Sequence, residues 1–201
     1  IRSGGKVFNA SYVSGLWTGA LKAWTLDANN NPVTLAWSAS IPTVGRKVFT
    51  FNGTSGFLFP TPTQSTALTR TGDDVDYPVT GDLNAAYIKG TQTLEGSELP
   101  KLRVRSTLLG DIVGSSPFYV DDTETIYVGA NDGMLHAFNA NTGVEEFAYV
   151  PNILNMAKLR DLSRGDYTHK FMVDGPVAVS PRTLTPGKNL LVGTLGKGGK
   201  G

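Results

Sequence analysis

The sequence predicts an all-β fold, and three observations carry that expectation. Only 17% of the 201 residues are charged, while glycine numbers 24 and threonine is abundant. Few charges with much Gly and Thr suit short strands joined by tight turns. A strand–turn–strand unit recurs along the chain, each copy too small to bury both of its faces. The composition also lacks the Glu, Lys and Leu of a coiled coil and the acidic excess of a disordered tail.

The first copy is Thr18-Gly19-Ala20-Leu21-Lys22-Ala23-Trp24, which turns through Asp27-Ala28-Asn29-Asn30-Asn31-Pro32 into Leu35-Ala36-Trp37-Ser38. Its innermost strand is not evident. Lys47–Phe51 followed by Ser55–Phe59 forms a second partial copy. Residues 60–100 carry Pro60, Pro62, Pro78 and Pro100 and read as loop-rich. Within them Asp82–Lys89 predicts one helix, capped by Asp82 and ended by Gly90. The clearest copy follows. Ser115–Val120, Thr125–Ala130, Met134–Phe138 and Glu146–Val150 read as four antiparallel strands, with Asp132-Gly133 a strong hairpin turn. Pro151 stops the last strand. Residues 152–160 read as a short surface helix capped by Asn152. A fourth, partial copy comprises Asp174–Val179 and Asn189–Gly193.

Together these units predict a single domain over residues 1–201, an incomplete β-propeller arc of about three to four antiparallel blades with short helical insertions. The chain opens on Ile1-Arg2-Ser3 and closes on Gly196-Lys197-Gly198-Gly199-Lys200-Gly201, and it reads as an excerpt of a longer protein. An open arc leaves unpaired strand edges, so the excerpt alone is expected to aggregate or melt at low temperature.

Charge and composition exclude several functions. Eighteen Lys and Arg against seventeen Asp and Glu give a net charge of +1, unlike a dedicated nucleic-acid binder. The absence of cysteine removes disulfide scaffolds, thiolate metal sites and thiol nucleophiles. No apolar run reaches the roughly 18 residues of a membrane helix.

Candidate chemical residues are few. His136 and His169 are the two histidines, with no second histidine at ligand spacing. His136 occupies the repeat position held by Lys22, which predicts an ordinary sheet-face residue. Asp27, Asn29 and Asn31 match the first ligand positions of a calcium loop, but Pro32 and Ser38 stand where Gly and Glu are needed. A hairpin turn explains them. The acidic clusters Asp73, Asp74, Asp76 and Asp121, Asp122, Glu124 read as solvated turns. The glycine–lysine tail lacks the Gly-Lys-Ser/Thr ending of a phosphate loop. Trp17, Trp24 and Trp37 read as packing between blades. These residues yield no catalytic, cofactor or metal site.

Specific stretches narrow the fold to a family. The blade Tyr127–Phe138 with Asn141-Thr142-Gly143 resembles the quinoprotein-like propeller repeat. Arg103–Pro117 precedes it, Asn9–Gly19 opens the chain, and Asp166–Gly175 and Leu191–Gly199 close it. In this order they resemble the C-terminal propeller domain of the PilC/PilY family of type IV pilus tip proteins. The resemblance implies an exported, non-enzymatic protein of a Gram-negative bacterium, at the pilus tip or outer membrane. It implies roles in pilus assembly, adhesion and twitching motility, with minor pilins and host or abiotic surfaces as partners. It also implies no nucleic acid, no membrane span and no cofactor here, the family's calcium site lying beyond Gly201. Tyr87-Ile88-Lys89-Gly90-Thr91 stands where some members carry Arg-Gly-Asp, so no integrin-type site is carried over. The alternatives are a quinone-dependent dehydrogenase, disfavoured by the missing cysteine pair, and an outer-membrane assembly scaffold.

Overall fold

The computed structural model describes residues 2–3, 5–73, 77–96 and 99–199. Strands dominate, and among the described residues they form three sheets, none closed on itself.

The first sheet runs β1 (Arg2–Ser3), β2 (Lys6–Val13), β3 (Thr18–Leu26) and β4 (Pro32–Ser38) in chain order. β2 and β3 are fully antiparallel from Lys6↔Thr25 to Val13↔Thr18. The expected missing strand is therefore present, supplied by residues that precede the recognisable repeat. Strand alternation turns Leu21 and Ala23 inward to burial.

The central sheet has the order β6-β5-β10-β9-β8-β7. Its core is the expected meander: β7 (Phe118–Val120), β8 (Thr125–Ala130), β9 (Met134–Asn139) and β10 (Glu145–Tyr149). β8 and β9 close around Asn131-Asp132-Gly133, a three-residue turn rather than a two-residue one, with Gly133 at φ +90°. The hairpin β5 (Val48–Phe51) and β6 (Gly56–Leu58) forms as expected but not as a separate blade. β5 lies parallel to β10, with Ala148 opposite Val48, and extends the central sheet to six strands. The third sheet is the hairpin β11 (Val177–Val179) and β12 (Leu191–Gly193).

The central sheet is packed on both faces. On one, Val128, Phe138 and Ile126 meet Phe8, Leu21 and Trp37 of the first sheet. On the other, Leu135 with the partly buried Tyr127 and Tyr149 joins a larger core that includes Val177 of the third sheet.

Two helices stand where one was expected between residues 60 and 100. α1 (Pro62–Leu68) begins with a capping box in which Thr61 Oγ1 accepts from Gln64 N and Gln64 Oε1 accepts from Thr61 N. α2 (Gly81–Ile88) is capped by Thr80, not Asp82; the Asp82 carboxylate instead accepts from Ser65 Oγ at 2.7 Å. α3 (Met156–Arg160) is shorter than the expected 152–160 helix and its cap is Asn155, not Asn152. It is no surface helix either, since Leu159 is fully buried and α3 packs on α1. Among the described residues no helix is long and apolar enough to cross a membrane.

Candidate functional site

The β8–β9 turn organises two adjoining polar clusters. His136, on β9, points into the core and is fully buried. Its Nε2 meets the Asp132 carboxylate at 3.1 Å and its Nδ1 meets Glu145 Oε1 at 2.7 Å. Arg46, from the loop before β5, donates from Nε to Glu145 Oε2 at 2.6 Å and from Nη2 to Oε1 at 2.9 Å. Asp132 Oδ2 also accepts from Gly110 N at 2.9 Å. Burial alone opposes a charge on His136, but the Asp132 and Glu145 carboxylates outweigh it and raise its pKa to about 9. Burial likewise pushes Asp132 and Glu145 upward, yet His136 holds both below their usual range, with Arg46 assisting. Two carboxylates, an imidazolium and a guanidinium sum to zero charge. That neutrality is what lets the cluster sit in the core.

The second cluster lines a cavity of about 250 Å³. The β2–β3 turn supplies Trp17, which adopts φ +52°, a conformation bulky residues rarely hold. Its indole stacks on His169, with ring centroids 3.7 Å apart, while Tyr12 lies parallel at 6.4 Å on the same indole. His169 Nε2 meets Asp111 Oδ2 at 2.8 Å, and Asn131 Nδ2 donates to that same oxygen at 2.8 Å. Asn131 Oδ1 in turn accepts from Met172 N, so the turn is tied to the segment after His169. β3 begins against the wall of the cavity: Gly19 N donates to Leu109 O, and a Cβ at Gly19 would stand 2.0 Å from Gly110 O. Only glycine permits that approach.

Arg103 and Arg105 lie two residues apart along the far wall. Arg105 is committed: it pairs with Glu95 at 2.7 Å and covers the Tyr87 ring at 3.6 Å. The Arg103 guanidinium lies 4.4 Å over Tyr167, and its Nε is buried with no hydrogen-bond partner among the described residues.

The remaining sequence candidates are structural. Asp27 Oδ1 accepts from Asn29 N and Asn31 N, closing the β3–β4 turn on itself. Asp122 pairs with Arg182 at 3.0 Å, and Glu124 takes a left-handed conformation at the turn into β8. Asp73 pairs with Arg164 at 2.9 Å, whereas Asp74 and Asp76 lie outside the described residues, as do Lys200 and Gly201 of the glycine–lysine tail. Trp37 packs between sheets, its Nε1 donating to Ala140 O at 3.0 Å. Among the described residues no group of three or more acidic or histidine side chains is arranged to hold a metal ion.

Sequence reasoning located both histidines but not their surroundings. Lys22 in the equivalent repeat position hid the burial of His136, and neither Arg46 nor Glu145 carried a local signal. Arg103 and Arg105 entered only as part of the stretch that carries the family resemblance. The stretches that carry the family resemblance converge here: Trp17, Arg103, Asp111, Asn131 and Tyr167 all line the cavity, and His169 braces its wall.

No family model matches the chain, and no solved structure matches it. Curated relatives do. A PilY1 homologue described as a type IV pilus biogenesis factor, from Xylella fastidiosa, is 33% identical over 233 aligned positions, covering 100% of this chain and 18% of the relative. PilY1 of Pseudomonas aeruginosa strain PAK is 31% identical over 232 positions, covering 92% of this chain and 20% of the relative. The strain UCBPP-PA14 protein is 34% identical over 57% of this chain and 12% of its own length. This chain thus spans about a fifth of the length of the relatives that cover it most fully. With similarity running from its first strands through the cavity walls to its last hairpin, the chain belongs to the PilY1 family of type IV pilus biogenesis factors.

Proposed function

We propose that this chain is a non-enzymatic segment of a type IV pilus biogenesis factor. In this reading it is exported to the surface of a Gram-negative cell, acts with minor pilins at the pilus tip, and supports assembly, surface adhesion and twitching motility. Its three sheets are successive blades of a quinoprotein-like propeller, with the central blade widened by the β5–β6 hairpin. The family's calcium is bound elsewhere in the whole protein.

The observation that supports this reading most is the similarity to pilus biogenesis factors along the whole chain. The stacking of the three sheets through two apolar cores agrees with a propeller arc. Removing residues 1–201 in frame from the full-length protein in its own bacterium provides the test. Sheared surface pili and twitching zones are expected to fall to the level of a strain lacking the whole gene. Normal piliation and motility in the deletion strain would overturn the role. Robust alcohol or sugar oxidation by purified full-length protein with pyrroloquinoline quinone and calcium would overturn the non-enzymatic assignment.

A further inference from the structure

We propose that the cavity beneath the β2–β3 turn binds an uncharged peptide or carboxamide group of a partner polypeptide. Its carbonyl oxygen would face the Arg103 guanidinium and the Trp17 indole N–H, and its N–H would face Asp111 Oδ1.

The polar atoms left open around the cavity define this chemistry. Asp111 is buried to 3% side-chain exposure, and both of its contacts, from His169 and Asn131, fall on Oδ2. Oδ1 accepts from no described residue and is not fully sealed off, and Asp111 is among the residues that line the cavity. A carboxylate oxygen with open acceptor capacity in a largely buried residue can take a donor from a bound group. On the other side, Arg103 closes no ion pair with any described carboxylate and Trp17 Nε1 donates to no described acceptor. Both residues line the same cavity. The wall thus offers a cationic donor and a carboxylate acceptor, beside the Thr18 and Ser106 hydroxyls.

That combination excludes simpler ligands. A lone anion would meet the Asp111 carboxylate, and a lone cation would meet Arg103, each at the cost of like-charge repulsion. A sugar would need a free aromatic face, but Trp17 already stacks on His169 and lies parallel to Tyr12. A metal would find one open carboxylate oxygen, too few for a cation site. A peptide group carries an acceptor and a donor side by side with no net charge, and it satisfies both walls. The volume suits one side chain or a single turn of chain rather than a large cofactor. The rim agrees with a polypeptide ligand: Leu16 is 66% exposed, and Val13 and Tyr12 stand exposed beside it, offering apolar contact to residues flanking the bound group. The left-handed Trp17, which sets the indole at the mouth, is the kind of strained residue that collects at binding sites.

The proposal is independent of the pilus role and is tested on purified full-length protein. Saturation-transfer NMR with N-acetylglycine N-methylamide at millimolar concentration reads binding of the bare peptide group. Binding is expected, and it should weaken about tenfold or more in Asp111→Asn and Arg103→Lys. Trp17→Phe keeps the ring stack, loses only the N–H, and is expected to weaken binding while leaving thermal unfolding unchanged. No saturation transfer to the capped peptide, or equal binding by parent and all three variants, would overturn the proposal. So would stronger binding of acetate, tetramethylammonium or glucose. A preference for free glycine over the capped peptide would assign the cavity to free amino acids and overturn it too.

Discussion

Replacing His136 with glutamine removes the one cation held between Asp132 and Glu145. The variant keeps a polar side chain of similar size but leaves the Asp132 carboxylate with backbone donors only and Glu145 with Arg46. Breaking a buried, charge-balanced cluster in this way costs about 3–5 kcal/mol, a large part of the roughly 5–15 kcal/mol that holds a domain together. The same contacts set a pH window. His136 titrates at about 9 in the folded chain, above its ordinary value of 6.5. The folded state therefore holds an extra proton between those values. The stabilisation is complete below about pH 6.5 and fades as the pH rises through about 9, amounting to roughly 3 kcal/mol. Asp132 and Glu145 act in the opposite sense: both are lowered, so their contribution is present above the usual carboxylate range and is lost in acid. Hydrogen–deuterium exchange followed by mass spectrometry on the full-length protein reads this locally, through peptides spanning residues 130–150. After correction for intrinsic exchange, protection should fall between about pH 7 and pH 10 in the parent and show little of that slope in His136→Gln. A variant protected as well as the parent at neutral pH, or a parent with no alkaline loss, would refute a charged His136.

Two further substitutions probe the packing around the same sheet. Gly133→Val forces a β-branched residue to φ +90° and sets its Cβ 2.6 Å from Leu159 Cδ1. The backbone alone accounts for about 1 kcal/mol and the displaced leucine adds to it, so thermal unfolding should shift down; an unshifted melt removes the basis for that cost. Trp37→Phe preserves the contact with Phe8, at 5.8 Å between ring centroids, but deletes the hydrogen bond to Ala140 O. A loss of about 1 kcal/mol, read as faster exchange around residues 139–144, is expected, and unchanged exchange there counts against the bond's role in joining the two sheets.

What the sequence revealed was local. Asp132-Gly133 marks its hairpin because the turn geometry is encoded in adjacent residues. The match of Gly19-Ala20-Leu21-Lys22-Ala23-Trp24 to Gly133-Met134-Leu135-His136-Ala137-Phe138 marks β3 and β9, again through adjacent residues. The destination of β5 was hidden, since a hairpin reads alike whichever sheet it joins, and its partner β10 lies far along the chain. α1 carried a legible start in Thr61-Pro62-Thr63-Gln64, but the surrounding prolines and threonines weighed toward loop. The cap of α3 was misplaced by one turn because Asn152 and Asn155 are equally suited to cap, and the burial of Leu159 decides between them. At the candidate site, the residue types were visible and their convergence was not. Asp111 and His169 meet across 58 residues, and Arg46 and Glu145 across 99.

The parallel seating of β5 against β10 also carries a time. Thr50 donates its hydroxyl proton to the Val150 carbonyl, 100 residues later. At a synthesis rate of about 5–20 residues per second, the later strand leaves the ribosome roughly 5–20 s after the earlier one. Through that interval the hairpin of Val48–Phe51 and Gly56–Leu58 has its neighbouring strand still unmade, with Phe49, Phe51 and Phe57 on it. Until Glu145–Tyr149 arrives, the β5 edge stands open to pairing with a wrong strand during synthesis.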